Sequence, residues 1–202
     1  MKKAIYKGSV MLSGDEMKIQ CTPTMGCYLD ILVRIKEQLD CMLTYHNKVF
    51  VLRFDFRVRE YSDDNALMSS YMKMLIKRLK RHYKLKRVGY VWARETAKSD
   101  VQHYHCAIML DGSKVWVAAR VLKFIDEIAE RWDLPRPYTP KNCYYNLRRN
   151  ERESYERCFY RLSYLAKTST KVARPKATND YSTSRLKPKP LTGPGSLPIA
   201  AS

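Results

Sequence analysis

The stretch Gln102-His103-Tyr104-His105-Cys106-Ala107-Ile108-Met109-Leu110 decides the fold and the function predicted for this chain. It is a short apolar run ended by Asp111-Gly112, a pattern typical of a buried strand. Strand side chains alternate between faces, so His103 and His105 point one way and Tyr104 points the other. Two imidazoles on one rigid face can hold a divalent cation. The alternative is a pair of partly buried histidines that only hydrogen-bond to their neighbours.

A carboxylate and a tyrosine cluster accompany the histidine pair. Glu95 lies eight residues before His103, near the end of another strand-like run, 87–94. A hairpin joining the two strands would bring its carboxylate to the same metal. Further along, Tyr160-Arg-Leu-Ser-Tyr164-Leu-Ala-Lys167 falls on a helix predicted from Glu151 to about Thr168.

Tyrosines four residues apart lie on one face of a helix, so Tyr160 and Tyr164 are predicted to be neighbours. Lys167, three residues beyond Tyr164, falls on nearly the same face. A phenol oxygen is a suitable nucleophile for phosphoryl transfer, and a nearby ammonium can stabilise the phenolate. The alternative is a tyrosine stripe that serves only core packing.

The ordered set Glu-x7-His-hydrophobic-His and Tyr-x3-Tyr-x2-Lys resembles the HUH endonuclease superfamily of rolling-circle replication initiators, and is most similar to its two-tyrosine branch. The stretch 48–186 also resembles inovirus-type replication proteins, which are grouped with the YagK/YfjJ family of phage and prophage proteins. The resemblance covers about two thirds of the chain and leaves the first 45 residues without a motif.

The resemblance implies an α+β fold: a central antiparallel sheet backed by helices, with a metal site on its middle strand. Glu95, His103 and His105 would hold one Mg²⁺ or Mn²⁺. Imidazoles with a carboxylate suit Mn²⁺ better, whereas cellular supply favours Mg²⁺. Tyr164 would nick the DNA first, Tyr160 would serve in the second strand transfer, and Lys167 would assist.

The implied partner is single-stranded or hairpin origin DNA. No Walker-type glycine-rich loop is present, so we expect no nucleotide cofactor and a need for the host's helicase and polymerase. Two other interpretations stay open. One is a non-catalytic DNA-binding regulator, and the other is a related transposase or relaxase with the same chemistry.

A net charge of +18 independently indicates a polyanionic partner, and 15 tyrosines and three tryptophans supply rings that could stack on unpaired bases. A helix is predicted from a Ser62–Asn65 cap to about Tyr83. From Lys73 to Arg87 the sequence contains no carboxylate. This pattern predicts a phosphate-contacting face; the alternative is a merely solvated one. Its residues are Lys73, Lys77, Arg78, Lys80, Arg81 and Lys84.

We divide the chain into three parts. Residues 1–45 form an extension whose last part, 28–45, has the apolar spacing of an amphipathic helix. Residues 46–168 form the HUH-like domain. Residues 169–202 hold five of the nine prolines and are predicted to be a basic, largely disordered tail in which 181–186 can dock on the domain.

The six cysteines show no zinc-binding spacing and are predicted to be reduced thiols of a cytoplasmic protein in a bacterial host cell. No segment is long and apolar enough to span a membrane, and no membrane partner is expected.

Overall fold

A computed structural model describes residues 3–95, 101–168 and 179–190. A 3-10 turn at Ser163–Ala166 follows the last helix. In chain order the elements are β1 (Ala4–Ile5), β2 (Ser9–Leu12), β3 (Asp15–Lys18), β4 (Cys27–Tyr28), α1 (Leu29–Tyr45), β5 (Lys48–Arg57), α2 (Ala66–Tyr83), β6 (Gly89–Glu95), β7 (His103–Asp111), α3 (Ala119–Arg131), β8 (Tyr144–Arg148), α4 (Arg152–Leu162) and β9 (Tyr181–Thr183).

Five strands form one antiparallel sheet in the order β8-β5-β7-β6-β9, so β7 is its middle strand. β5 pairs with β7 from Val49 opposite Asp111 to Arg57 opposite His103. β6 and β7 form the predicted hairpin, in which Glu95 lies opposite His103. The α+β class and the central antiparallel sheet are therefore confirmed. The turn predicted between the two strands lies outside the described residues, except for Val101.

Helices cover both faces of the sheet and divide the core into two clusters. On one face, which we call the α1/α4 face, α1, α4 and the 3-10 turn pack on residues such as Val51 and Ala107. On the other, the α2/α3 face, α2 and α3 pack on residues such as Phe54 and Ile108. Because β7 alternates, His103 and His105 belong to the α1/α4 face.

Apolar spacing explains the helices. In α1 the predicted stripe is buried, since Ile31, Ile35, Leu39 and Met42 are all fully covered. For α2, apolar spacing in the sequence predicts a buried stripe of Leu67, Tyr71, Met74, Leu75 and Leu79. Leu67 is 38 % exposed and Met74 is only partly buried, whereas Met68 and Met72 take the core positions. Met68 lies three residues before Tyr71 and Met72 one residue after it, and both positions belong to a broad apolar stripe.

Residues 3–28, most of which sequence patterns left unassigned, fold into two small sheets that pair β1 with β4 and β2 with β3. Reciprocal backbone hydrogen bonds between Thr22 and Met25 turn the chain back. This turn places Cys21 and Cys27 within 6.0 Å at the Cα atoms, where they form a disulfide. The prediction of six reduced thiols is wrong for this pair, because its six-residue separation gave no sign of the turn. Cys41, Cys106, Cys143 and Cys158 are free.

The C-terminal part of the chain agrees with the prediction in one respect and differs in another. Tyr181–Thr183 pairs with β6 as an edge strand, so the predicted docking of 181–186 on the domain is confirmed. The helix predicted to reach Thr168 ends at Leu162 instead. Residues 169–178 and 191–202 of the predicted tail lie outside the described residues. Within the described ranges, no helix has the length and apolar character needed to cross a membrane.

Candidate active site

The site is built at one end of the three central strands, on the α1/α4 face. His105 is buried and His103 partly exposed, both on the same face of β7. Tyr104 between them points into the opposite core and donates a hydrogen bond to Asn65 Oδ1 at 2.9 Å. The alternation therefore places both imidazoles together, at the end of the sheet where Glu95 terminates β6.

Two carboxylates flank the His105 ring. The Glu95 carboxylate contacts Nε2, and Asp55 Oδ1 lies 2.9 Å from Nδ1. Asp55 stands directly opposite His105 in the β5–β7 register. The contact with Asp55 is a close ion pair, and Nδ1 makes no hydrogen bond. Asp55 also lies 3.3 Å from Arg53 Nη2 and forms a salt bridge with it.

These charges shift both proton equilibria. Burial alone would lower the pKa of His105, but the close contacts with the charged Asp55 and Glu95 carboxylates outweigh burial and raise it. Burial would likewise raise the pKa of Asp55, but His105 and then Arg53 hold it below its ordinary value. Without a metal, both shifts favour the charged forms, a protonated His105 beside an ionised Asp55.

A titration tests this arrangement. In protein stripped of metal with EDTA, the NMR resonances of His105 should titrate above the usual pKa of about 6.5. Asp55→Asn or Glu95→Gln should move this pKa down. Because the folded pKa of His105 is raised, its contribution to stability is complete below about pH 6.5 and is lost as pH rises through the folded value. Asp55, with a lowered pKa, contributes above about pH 3.9 and loses its contribution as pH falls through its folded value. An unshifted His105 in the wild-type protein would contradict the geometry.

His103 is held differently. Arg57, directly opposite it on β5, donates a hydrogen bond from Nε to His103 Nε2 at 2.7 Å. Burial, and then the charge of Arg57, lower the pKa of His103. His103 is therefore a neutral imidazole whose Nε2 accepts, which is the protonation state that a metal ligand requires.

Tyr164 comes to the histidines from the 3-10 turn after α4. Its ring lies edge-on to the His105 ring, with 5.0 Å between ring centroids. The Arg53 guanidinium carbon and the Lys167 Nζ each lie 4.2 Å from the Tyr164 ring centroid. Burial, and then the charge of Arg53, lower the pKa of Lys167. The structure thus brings Tyr164 and Lys167 to the same end of the sheet as Glu95, His103 and His105.

Tyr160 is placed differently from Tyr164. It lies in the last turn of α4 and is 46 % exposed. The helical spacing predicted for the two tyrosines is interrupted, since a 3-10 turn begins at Ser163. Ser163 donates its hydroxyl proton to the Tyr160 carbonyl at 2.7 Å, a local bond that competes with continued helix.

The N-terminal segment holds this tyrosine turn in place. The Gln20 backbone N–H donates to Ser163 Oγ at 2.8 Å, and Gln20 Nε2 donates to the Tyr160 carbonyl at 2.9 Å. Cys27 forms a β-bridge with Lys167, and the Thr168 N–H donates to the Gly26 carbonyl at 2.8 Å. Residues that carried no recognisable motif therefore fix the backbone on both sides of Tyr164.

The predicted DNA-contacting residues lie on α2 and at its C-cap, across the sheet from the histidines. Lys73, Lys77, Lys80, Arg81 and Lys84 are exposed. Arg78 differs, because its guanidinium pairs with Glu127 on α3 and lies 4.3 Å from the Phe124 ring centroid. The remaining lysines and arginine thus form an exposed basic surface on the α2/α3 face, which we call the α2 basic surface.

The donor set is chemically suited to a divalent cation. His103, His105 and Glu95 supply two imidazoles and a carboxylate, and Asp55 at Nδ1 of His105 matches the carboxylate that commonly orients a metal-bound histidine. In the described parts of the chain, however, no three His, Cys, Asp or Glu side chains are arranged to hold a metal ion. Glu95 contacts the His105 nitrogen directly instead. The metal stays a prediction.

Sequence reasoning missed two residues of this site. Arg53 is only 4 % exposed and lies between Asp55 and Tyr164, and Gln20 anchors the tyrosine turn. A signal for Arg53 was available. It interrupts the apolar run of β5 on the same face as Asp55, and an arginine in a strand buried on both sides needs a partner. Nothing in the sequence marked Gln20.

The chain belongs to the YagK/YfjJ C-terminal domain family, whose family model matches residues 15–180. The match runs across the boundary that we placed after residue 45, and α1 from the N-terminal part shares one hydrophobic cluster with the sheet. No curated protein and no solved structure shows significant similarity to the chain.

Proposed function

We propose that this protein is a metal-dependent DNA nickase and strand transferase of the HUH type, similar to inovirus replication proteins, that initiates rolling-circle replication of a phage or prophage element. The observation that carries the proposal is the Tyr164 ring lying against His105, with Glu95 and His103 on the same sheet face. A nucleophile candidate and a donor set for a cation thus share one site, which is the minimum that phosphodiester cleavage requires.

In the proposed reaction the Tyr164 phenol oxygen attacks the phosphorus and loses its proton. The bond between phosphorus and the 3′ oxygen breaks, and that oxygen leaves with a proton as a free 3′ hydroxyl. The 5′ phosphate remains on the tyrosine as an aryl ester, which keeps enough energy for later rejoining. The 3′ hydroxyl primes synthesis by the host polymerase with the host helicase, and Tyr160 takes part in the second transfer that closes the circle.

The residues around Tyr164 have distinct proposed roles. Lys167 and Arg53, each 4.2 Å from the ring centroid, orient the ring and supply positive charge where a phenolate forms. Glu95, His103 and His105 would hold Mg²⁺ or Mn²⁺, which supplies charge neutralisation at the phosphoryl oxygens. Asp55 keeps the His105 ring in one orientation. The reaction is proposed to take place in the cytoplasm of a bacterial host.

Incubation with single-stranded DNA tests the proposal. Oligonucleotides and hairpins from the DNA flanking the gene should be cut in the presence of Mn²⁺ or Mg²⁺ and remain intact in EDTA. The protein should become attached to the 5′ phosphate of the downstream, 3′ fragment in a complex that survives SDS. A folded, metal-supplied protein that yields neither product nor adduct on any of these substrates would contradict the proposal.

A non-catalytic DNA-binding regulator is the second candidate. Direct contacts of carboxylates with both ring nitrogens of His105 favour it, because they can form a structural ion-pair network without any metal. A regulator would bind the same DNA with equal affinity in EDTA and Mn²⁺ and would never cut it.

The α2 basic surface gives a prediction of its own. Replacing Lys77, Lys80 and Arg81 by alanine should weaken binding to all DNA sequences alike, since phosphate contacts carry no sequence information. Each lost contact should reduce the slope of log affinity against log salt by about 0.7 for single strands. Fluorescence anisotropy over a salt series measures this slope. Lys7→Ala/Lys18→Ala, which removes two exposed lysines of the N-terminal segment, is the control. A slope unchanged from wild type in the triple variant would mean that the surface is only solvated.

A further inference from the structure

Exposed aromatic residues gather at the β8 edge of the sheet. Trp116 is 61 % exposed and Tyr144 is 42 % exposed, although both belong to well-packed segments. Trp116 precedes α3 and is followed by the exposed Val117. Large aromatic residues left in solvent at one place on a basic protein commonly mark a binding surface.

The strand geometry holds these rings at the surface. β8 pairs with β5 from Arg148 opposite Lys48 to Tyr144 opposite Leu52, and it is an edge strand of the sheet. Tyr144 and Arg148 share one face of β8 by alternation, and both are exposed. One face of the Tyr144 ring packs on Phe50, with 5.6 Å between centroids and 29° between planes. The tyrosine ring is therefore fixed by a core residue while part of it stays open to solvent.

Trp116 is fixed through its backbone. Asn146, between Tyr144 and Arg148 on β8, donates from Nδ2 to the Trp116 carbonyl at 3.1 Å. Four residues before Trp116 the chain passes close to β5 at Gly112, where an added Cβ would lie only 2.8 Å from the Lys48 carbonyl carbon. These contacts border an open groove of about 330 Å³. It is lined by Lys48, Gly112, Ser113, Trp116, Asn146, Leu147 and Arg148.

The charge of this edge is positive. Lys48 is exposed, and the Arg148 side chain is 70 % exposed with a long 3.7 Å contact to Glu151. We call the surface formed by Lys48, Trp116, Tyr144, Asn146 and Arg148 the β8 ledge. Protein–protein interfaces are depleted in lysine, whereas aromatic rings beside cations are typical of single-stranded nucleic acid sites.

We propose that the β8 ledge binds unpaired bases of single-stranded DNA, which stack on Trp116 and Tyr144 while Lys48 and Arg148 contact the phosphates. The inference that the ligand is DNA rests on the proposed function, but binding at the ledge requires neither metal nor cleavage. The Tyr144 side of β8 belongs to the α2/α3 face, where the α2 basic surface also lies. The ledge therefore extends the DNA-contacting face to the edge of the sheet.

The edge also leads towards the candidate active site. Tyr138, which is 65 % exposed, forms a β-bridge with Asp55 of β5, and Tyr144 of β8 stands opposite Leu52 of β5. The two positions on β5 are three residues apart, which is about 10 Å along a strand. A single strand held on the ledge would reach the Tyr164 site by passing over this edge beside Tyr138.

Binding in EDTA tests the ledge separately from catalysis. Trp116→Ala and Tyr144→Ala should each weaken the affinity of the full chain for oligo(dT) by about 5-fold or more, which corresponds to the loss of one stacked base. Affinity for a blunt duplex of equal length should change by less than about 2-fold, since paired bases offer no free ring faces. Tyr6→Ala, which removes an exposed tyrosine just after β1, is the matched control and should bind oligo(dT) like wild type.

Tryptophan fluorescence supplies an independent measurement. Oligo(dT) should quench the emission of wild-type protein, and Trp116→Phe should remove most of this quenching while the buried Trp92 and the partly buried Trp132 remain. Equal losses of affinity for duplex and single strand, or unchanged oligo(dT) affinity in the Trp116→Ala/Tyr144→Ala double variant, would overturn the proposal. A protein that keeps the quenching but never cuts DNA would refute the proposed nickase and leave the ledge standing.

Discussion

Tyr164→Phe is expected to abolish the first nick, with cleavage reduced by about 1000-fold or more, as removal of a nucleophile commonly does. Phenylalanine keeps the ring that packs between Arg53, Lys167 and His105, so the thermal stability of the variant should barely change. Single-strand affinity should also remain, because it depends on basic and stacking residues elsewhere. The measurement is cleavage of a labelled single-stranded oligonucleotide with Mn²⁺, together with a thermal melt.

Tyr160→Phe is the matched variant. Tyr160 is nearly half exposed on α4, and we expect its variant to make the first nick at close to the wild-type rate but to close circles poorly. The double variant should do neither. In wild-type protein the SDS-stable adduct should map by mass spectrometry to Tyr164. An adduct on a residue other than these two tyrosines would refute the assignment.

The sheet could be predicted because its strands carry strong periodic signals. β5 alternates large aromatic and aliphatic residues with a mixed set, and β7 is an apolar run ended by Asp-Gly, so burial on both faces follows from composition alone. The β6–β7 hairpin then places Glu95 opposite His103 by register. Wherever hydrophobic burial dictates the periodicity, the sequence defines the strand and the direction of each side chain.

Other features could not be predicted because they depend on contacts distant in sequence. The 3-10 turn that carries Tyr164 forms where Gln20 hydrogen-bonds Ser163, across more than 140 residues. Local helix propensity gives no sign of that contact, so the predicted helix ran on to Thr168. The Cys21–Cys27 disulfide likewise depends on a turn in a segment with weak periodicity. Tertiary contacts override local preference at such places.

The candidate site was partly predictable for the same reason. Spacing along β7 gave the histidine pair, and ordered motifs gave Glu95, Tyr164 and Lys167. Spacing cannot show that Asp55 faces Nδ1 of His105 or that Arg53 packs on Tyr164, because both follow from the pairing of β5 with β7 and from the approach of the tyrosine turn. Arg78 shows the converse: a residue expected to contact DNA is engaged with Glu127.

The histidine variants provide the other large effect. His105→Ala is expected to reduce metal-dependent cleavage by at least about 100-fold, since even the outer partners of metal ligands typically contribute about 10- to 100-fold. His103→Ala should act similarly, and Glu95→Gln should weaken metal binding less, because the amide keeps one oxygen donor. Calorimetric titration with Mn²⁺ measures metal binding independently of cleavage. Single-strand affinity should stay close to wild type, since it rests on lysine, arginine and aromatic residues.

Stability must be separated from metal binding in this experiment. His105→Ala leaves Asp55 and Glu95 without their imidazole partner, and Asp55 is a largely buried carboxylate, so the melting temperature should fall. His103 is more exposed and contacts Arg57, so its variant should lose cleavage with a smaller loss of stability. His82→Ala, an exposed histidine on α2, controls for general effects and should cut and bind Mn²⁺ like wild type. If folded His103→Ala and His105→Ala proteins cut DNA at the wild-type rate in EDTA-treated buffer with added Mn²⁺, the two imidazoles do not hold the cation and the cluster is a structural ion-pair network.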